Sequence, residues 1–165
     1  MKTRIAIWGM MLLLTGCGFH LRGDGLSTST LSTLPPVYLQ SGNPQGGVMV
    51  ELQRQGRARG AQFTTDSAQA EIALNIGSEN FERRVLTVGR TGKVSEFALH
   101  YSVNFSVLDK QGKELIADSL NLVRDYRFDE TQVLGKEAEE AQLRRDMLRD
   151  AAQQILRRLR AVSVQ

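Results

Sequence analysis

The feature that constrains the fold most is a run of strict apolar–polar alternation in the middle of the chain. Small or polar residues separate six apolar positions: Phe97, Leu99, Tyr101, Val103, Phe105 and Val107. Because successive side chains of a strand point to opposite faces of a sheet, the run predicts a long strand with one buried face. A hairpin turn at residues 109–113 follows it, and residues 115–128 return as another strand. An earlier strand starts at residue 72 and continues after a break at Gly77 and Ser78. The three strands predict an antiparallel meander.

The segments on either side of this meander have helical periodicity. Apolar residues lie three and four apart within residues 46–59, and Gly60 follows as an expected residue just beyond the helix C-terminus. Apolar residues recur with the same period over residues 133–160. A short strand at residues 37–39 precedes the first helix. The order β-α-β-β-β-α predicts an α+β two-layer sandwich, with two helices packed on one face of a four-stranded mixed sheet.

The N-terminus has the features of a bacterial lipoprotein signal. A basic start and an apolar run at residues 5–14 lead to Leu-Thr-Gly-Cys, which ends at Cys17. This tetrapeptide resembles a lipobox, in which the chain is cleaved before the cysteine. The resemblance predicts residues 1–16 as the signal peptide and Cys17 as the lipid attachment site, carrying S-diacylglycerol and an N-acyl chain such as palmitate. The alternatives are a transmembrane helix, for which the run is too short, and an ordinary signal peptide with a stray cysteine. Gly18, in place of an aspartate, favours sorting to the outer membrane.

Composition limits what the remaining chain does. Residues 17–34 are rich in Gly, Ser and Thr and predict a lipid-anchored tether, and residues 35–165 predict a single domain. Removing Lys2 and Arg4 with the signal peptide lowers the formal net charge from +3 to +1. A nearly neutral protein is a poor partner for nucleic acid. The lipid uses the chain's one cysteine, so we expect no disulfide, no thiolate metal site and no cofactor other than the lipid.

No constellation in the sequence predicts catalysis. Residues 89–93 superficially resemble a phosphate loop, but the four-residue spacer is missing and Val94 replaces the required Ser or Thr. There is no Gly-x-Ser-x-Gly motif for a nucleophilic serine. The two histidines, His20 and His100, fall in the tether and on the polar face of a strand. We therefore expect neither a metal site nor an enzyme.

Several segments, in their order and spacing, resemble one family. They are residues 17–23 (Cys-Gly-Phe-His-Leu-Arg-Gly), the strand containing Phe97, Leu99 and Tyr101, residues 124–129 (Arg-Asp-Tyr-Arg-Phe-Asp), residues 134–137 (Leu-Gly-Lys-Glu) and residues 151–156 (Ala-Ala-Gln-Gln-Ile-Leu). Together they resemble the lipopolysaccharide-assembly lipoprotein family LptE, also called RlpB, over the whole chain.

The resemblance implies an outer-membrane lipoprotein that is anchored in the inner leaflet and faces the periplasm and a barrel lumen. It would plug the LptD β-barrel in a 1:1 complex, support assembly of that barrel, and bind lipopolysaccharide on its way to the cell surface. A structural or adaptor lipoprotein of another envelope machine, without lipopolysaccharide binding, stays open as the alternative.

Lipopolysaccharide is an anionic amphiphile, and its phosphates require exposed Lys or Arg side chains. Arg90 and Lys93 flank Gly92 at the tip of the hairpin that joins the second and third strands. Lys136 lies where the last helix begins, and a helix N-terminus favours an anion. The resemblance implies that Arg90 and Lys136 correspond to basic positions used towards lipopolysaccharide. The alternative is that these charges are solvated turn residues. Two further candidates lie on the same hairpin arm: Arg83 and Arg84.

Overall fold

The computed structural model describes Leu31 and residues 34–162, so Cys17, the signal peptide and most of the predicted tether lie outside the described residues. Within this part the elements are β1 (Val37–Ser41), α1 (Gly47–Ala58), β2 (Phe63–Thr64), β3 (Ile72–Val88), β4 (Val94–Asp109), β5 (Glu114–Arg127) and α2 (Val133–Val162). Short 3-10 turns precede β3 and α2. Neither described helix combines the length and the apolarity needed to cross a membrane.

The strands form one mixed sheet in the order β2-β1-β3-β4-β5. β1 pairs in parallel with both β2 and β3, whereas β3, β4 and β5 form the antiparallel meander. Both helices pack on one face of the sheet, which confirms the predicted two-layer α+β architecture. The sheet has five strands in place of the predicted four. The additional strand, β2, consists of Phe63 and Thr64 alone, and two residues are too few for alternation to predict a strand.

The predicted buried face of β4 forms the centre of the core. Its odd-numbered residues from Leu99 to Val107 are buried and pack with apolar side chains of both helices. Full burial of one such side chain stabilises a fold by about 1.5–3 kcal/mol. Leu31, within the predicted tether, is also buried. Its amide donates to the carbonyl of Arg59 at 2.6 Å, so this residue is attached to the end of α1.

A bulge in β3 turns one carboxylate toward the helices. The pairing shifts between Ile76, opposite Phe105, and Glu79, opposite Val103, so one extra residue enters β3 where the sequence predicts a break at residues 77–78. The extra residue places Glu79 on the buried face. There Glu79 Oε1 accepts hydrogen bonds from the amide of Val48 at 3.3 Å and from the hydroxyl of Tyr101 at 3.2 Å.

We expect Gly56→Ala to destabilise the fold by about 1–3 kcal/mol, although alanine favours a helix by about 1 kcal/mol over glycine. A Cβ atom at residue 56 would lie 2.3 Å from Cζ of the Phe63 ring, so the ring, α1 or β2 must shift. Chemical denaturation measures the loss. Gly135→Ala in α2 is the control, because no atom of the described residues lies within 4 Å of a Cβ there. Equal stability of the two variants would contradict this packing.

Candidate functional site

An open cleft of about 820 Å³ lies between the β3–β4 turn and the start of α2. One wall comes from the turn and the first residues of β4, and the other from residues 127–132 together with Lys136. We call this feature the tip cleft. It brings together two segments that are far apart in sequence, so it is the place where the predicted basic residues can meet.

Backbone hydrogen bonds fix both walls of the tip cleft. In the turn, the amide of Gly89 donates to the carbonyl of Lys93 at 2.7 Å, and Gly92 adopts a φ of 77°, which glycine tolerates best. On the other wall, the amide of Phe128 donates to the carbonyl of Ser95 at 2.9 Å. This bond extends the pairing of β5 with β4 and sets where the chain turns into α2.

The structure brings Lys93 and Lys136 into the tip cleft but leaves Arg90 outside its lining. Lys93 pairs with Glu130, and this hydrogen bond and charge raise the pKa of Lys93. Lys136 pairs with Glu139 at 2.8 Å. Arg90 is exposed at the turn, and within the described chain no carboxylate pairs with it. Among the described residues, the two lysines therefore have internal counterions, whereas the arginine has none.

A carboxylate already occupies the approach to the α2 N-terminus. Asp129 Oδ1 accepts hydrogen bonds from the hydroxyl of Thr131 at 2.7 Å and from its amide at 2.9 Å. These two bonds lower the pKa of Asp129. A phosphate beside Lys136 would therefore meet a fixed negative charge, which offsets the favourable helix dipole expected there.

Arg83 holds the sheet to α2 and does not line the tip cleft. Its guanidinium donates to Glu140 Oε2 at 3.0 Å and lies 4.6 Å from the Phe97 ring centroid. The same carboxylate accepts from the hydroxyl of Tyr126 at 2.6 Å and from Arg144 Nε at 3.0 Å. Arg84 instead pairs with Glu82 at 2.7 Å on the exposed side of β3. Glu140 and Arg144 are four residues apart on a helix, so the sequence alone could have predicted the contact between these two side chains.

We expect the stability of the domain to fall as the pH drops below the ordinary glutamate range, with Glu140 as one cause. Burial raises its pKa, but hydrogen bonds from Tyr126, Arg144 and Arg83 outweigh burial and leave that pKa lowered. The stabilisation is therefore complete above the pKa of an unfolded glutamate and is lost as the pH falls through the folded value. Thermal unfolding from pH 7 to pH 3 measures this, and Glu140→Gln should flatten the slope. An unchanged slope would contradict this role.

Exposed apolar side chains lie on the elements that border the tip cleft. At the end of β3, Val85, Leu86 and Val88 are each more than half exposed, and Leu134 at the start of α2 is 83% exposed. Apolar groups beside cations suit an amphiphilic ligand with acidic groups. Among the described residues, no group of three or more His, Cys, Asp or Glu side chains is arranged to hold a metal ion.

Comparisons with known proteins give the family. A family model described as LptE, lipopolysaccharide-assembly, matches residues 34–159. The LPS-assembly lipoprotein LptE of Pectobacterium atrosepticum is 28% identical over 159 residues, covering 95% of this chain and 84% of that protein. The LPS-assembly lipoprotein LptE of Yersinia enterocolitica is 30% identical over 156 residues, covering 93% and 73%.

Solved structures agree with this match. The crystal structure of the rare lipoprotein B from Shewanella oneidensis superposes with a TM-score of 0.70 at 26% identity, covering 78% of this chain and 96% of that one. The solution structure of a lipoprotein B from Nitrosomonas europaea gives a TM-score of 0.69 at 33% identity, covering 88% and 90%. Because the family model matches well over half of the sequence, the chain belongs to the LptE family of lipopolysaccharide-assembly lipoproteins.

Proposed function

We propose that this lipoprotein is anchored in the outer membrane through Cys17, plugs the LptD β-barrel as a 1:1 partner, supports its assembly, and binds lipopolysaccharide during transport to the cell surface. Membership of the family supports the assembly role. One structural observation carries the lipopolysaccharide part, namely that Lys93 and Lys136 line a single cleft, with the exposed Val88 and Leu134 on the elements that border it.

The tip cleft suits an anionic amphiphile because it offers donors and apolar surface together. A phosphate has to displace Glu130 from Lys93 and Glu139 from Lys136. The Lys93–Glu130 pair is exposed, whereas the Lys136 side chain in the second pair is only 20% exposed. An exposed ion pair is worth only about 0–1 kcal/mol, so displacement at Lys93 costs little beside a charge-assisted bond to phosphate. Arg90 has no carboxylate to lose among the described residues, and it extends the basic surface from the tip cleft onto the turn.

The body of the domain suits a plug. The sheet face opposite the helices carries small polar side chains at neighbouring positions: Asn75, Ser102, Asn104, Ser106 and Ser119. A barrel lumen is polar, so such a face can lie against it without leaving apolar surface in water. No step of this role needs catalysis, and we infer that the chain is not an enzyme.

Purification from detergent-solubilised outer membranes tests this proposal. We expect a C-terminally tagged copy to recover a large β-barrel in equimolar amount, and Cys17→Ala to remove the lipid from the recovered protein. Recovery with unrelated envelope proteins and no barrel would favour the alternative, an adaptor lipoprotein of another envelope machine. The same preparation, incubated with lipopolysaccharide, tests ligand binding separately.

We expect Glu130→Gln to strengthen lipopolysaccharide binding by a few-fold, because it removes the counterion of Lys93 and one negative charge from the tip cleft. Titration of the purified protein with lipopolysaccharide measures the effect. Glu82→Gln is the matched control, since Glu82 pairs with Arg84 and does not line the tip cleft. Unchanged or weaker binding by Glu130→Gln would show that Lys93 does not contact the ligand.

A further inference from the structure

The described domain separates its charges between two regions. Residues 47–59, which include α1, and residues 143–162 of α2 contain nine arginines, no lysine and three carboxylates. The remaining described residues contain nine basic and fourteen acidic side chains. One region therefore has a net charge of +6 and the other a net charge of −5, although the net charge of all the described residues is only +1. A separation of this size gives the domain a preferred electrostatic orientation toward any charged partner.

Part of this arginine set serves the fold. Arg158 binds Asp118 on β5 and so attaches α2 to the sheet. Arg144 binds Glu140 four residues earlier on α2 itself, and its guanidinium lies 5.1 Å from the centroid of the Phe81 ring on β3. Arg149 pairs with Asp146 one turn away on α2 itself. Such a pair between exposed side chains is weak and is readily exchanged for another partner. Arg149 is therefore available for an external contact, as are the arginines of this region that have no carboxylate partner among the described residues.

The available arginines line one face of α2. Arg145, Arg149, Gln153, Arg157 and Arg160 follow each other at spacings of four and three residues, so they form a continuous stripe. We call this the arginine stripe. The buried residues Met147, Ala151, Ile155 and Leu159 follow the same spacing on another face of the helix.

α1 lies beside the arginine stripe. Gln55 Nε2 donates to the carbonyl of Arg149 at 2.9 Å, which places this turn of α1 against α2. Arg57, two residues further along, is exposed, and Arg57 and Arg157 have no carboxylate partner within the described chain. The basic surface therefore extends across both helices.

The chemistry of the stripe selects an acidic protein surface. Guanidinium groups offer five N–H donors in a planar fork and no acceptor, which matches a carboxylate or a phosphate in bidentate geometry. The stripe contains no apolar side chain that could enter a lipid headgroup layer, as an interfacial helix requires. We propose that the arginine stripe docks on a carboxylate-rich wall of the barrel lumen and fixes the rotation of the plug. This inference rests on the proposed function.

The test compares two charge reversals of equal size in the full, lipid-anchored chain. Arg145→Glu with Arg157→Glu changes the stripe, and Lys110→Glu with Lys113→Glu changes the exposed β4–β5 turn in the acidic region. The readout is the amount of barrel recovered with the tagged protein, at about 0.1 M salt and at about 1 M salt, where the Debye length falls from about 10 Å to about 3 Å.

We expect the stripe variant to recover at least about tenfold less barrel than the turn variant, and high salt to weaken the complex of the natural chain. Arg145→Gln with Arg157→Gln adds no negative charge, so it should lose less barrel recovery than the charge reversal. This variant also checks that the loss in the reversal variant does not come from misfolding. Equal recovery by the stripe and turn variants would overturn this inference and leave the plug function standing. Failure of the natural chain to recover a barrel would overturn both. If the stripe variant recovers a normal amount of barrel but no longer binds lipopolysaccharide, the arginine stripe contacts an anionic lipid, and the inference is overturned.

Discussion

Glu79→Ala should lower the free energy of unfolding by about 2–4 kcal/mol. Gly46, at the N-cap of α1, offers no side-chain acceptor, and Glu79 from β3 accepts the amide of Val48 instead. Loss of a helix cap costs about 1 kcal/mol. The variant also leaves the hydroxyl of Tyr101, which is 1% exposed, without an acceptor. An unsatisfied buried polar group costs about 1–3 kcal/mol.

Two variants separate these contributions in denaturant unfolding. Glu79→Gln keeps a hydrogen-bond acceptor, so it should lower the free energy of unfolding less than Glu79→Ala does. Tyr101→Phe removes the orphaned hydroxyl, so adding it to Glu79→Ala should recover part of the loss. Burial and the charge of Glu79 both raise the pKa of Tyr101, so the hydroxyl stays protonated and donating even above the pH at which an ordinary tyrosine ionises. If Glu79→Ala unfolds at the same denaturant concentration as the natural chain, the capping role is wrong.

Arg90→Ala combined with Lys136→Ala should weaken lipopolysaccharide binding by at least about tenfold. A hydrogen bond to a charged group contributes about 1.5–3 kcal/mol, and a tenfold change in affinity corresponds to about 1.4 kcal/mol. Solvent screening at the exposed turn weakens such a hydrogen bond. For the two substitutions together we therefore expect a loss of binding free energy at the lower end of the range for one hydrogen bond to a charged group. Lys93→Ala alone should have a smaller effect, because it removes one basic side chain, whereas the double variant removes two.

Titration with lipopolysaccharide at two salt concentrations measures this effect. The natural chain should bind more weakly in high salt, and the double variant should show a reduced dependence on salt. Lys110→Ala with Lys113→Ala is the matched control, since it removes two exposed lysines from the β4–β5 turn. Unchanged affinity and unchanged salt dependence in the Arg90 and Lys136 variant would remove both residues from the site.

Local patterns in the sequence predicted most of the fold. The alternation in β4 fixes which of its faces is buried, and the periodicity of α2 fixes the stripe that faces the core. Alternation could not predict β2, whose two residues are held by their pairing with β1. The Gly77–Ser78 break was predicted, but its consequence was not. Only the partner strand shows that the bulge turns Glu79 toward Val48.

The candidate site was predicted residue by residue and not as an arrangement. Arg90 and Lys93 were predicted as binding residues from their charge at a turn, and Lys136 from its place at the start of a helix. The convergence of the two lysines depends on how β5 leads into α2, which no local pattern encodes. For the same reason the counterions Glu130 and Glu139 were not foreseen. The internal contact of Arg83 with Glu140 was missed, because these residues meet only when α2 packs on the sheet.

Site-specific photo-crosslinking in living cells tests whether the tip cleft and its turn contact lipopolysaccharide. A photoreactive residue is placed at position 90 or 136 of the full chain, and at position 113 as the control. We expect lipopolysaccharide adducts from positions 90 and 136, and none from position 113, in protein that also recovers the barrel. Barrel recovery without a lipopolysaccharide adduct from either tip position would contradict the assignment of the tip cleft as the ligand site.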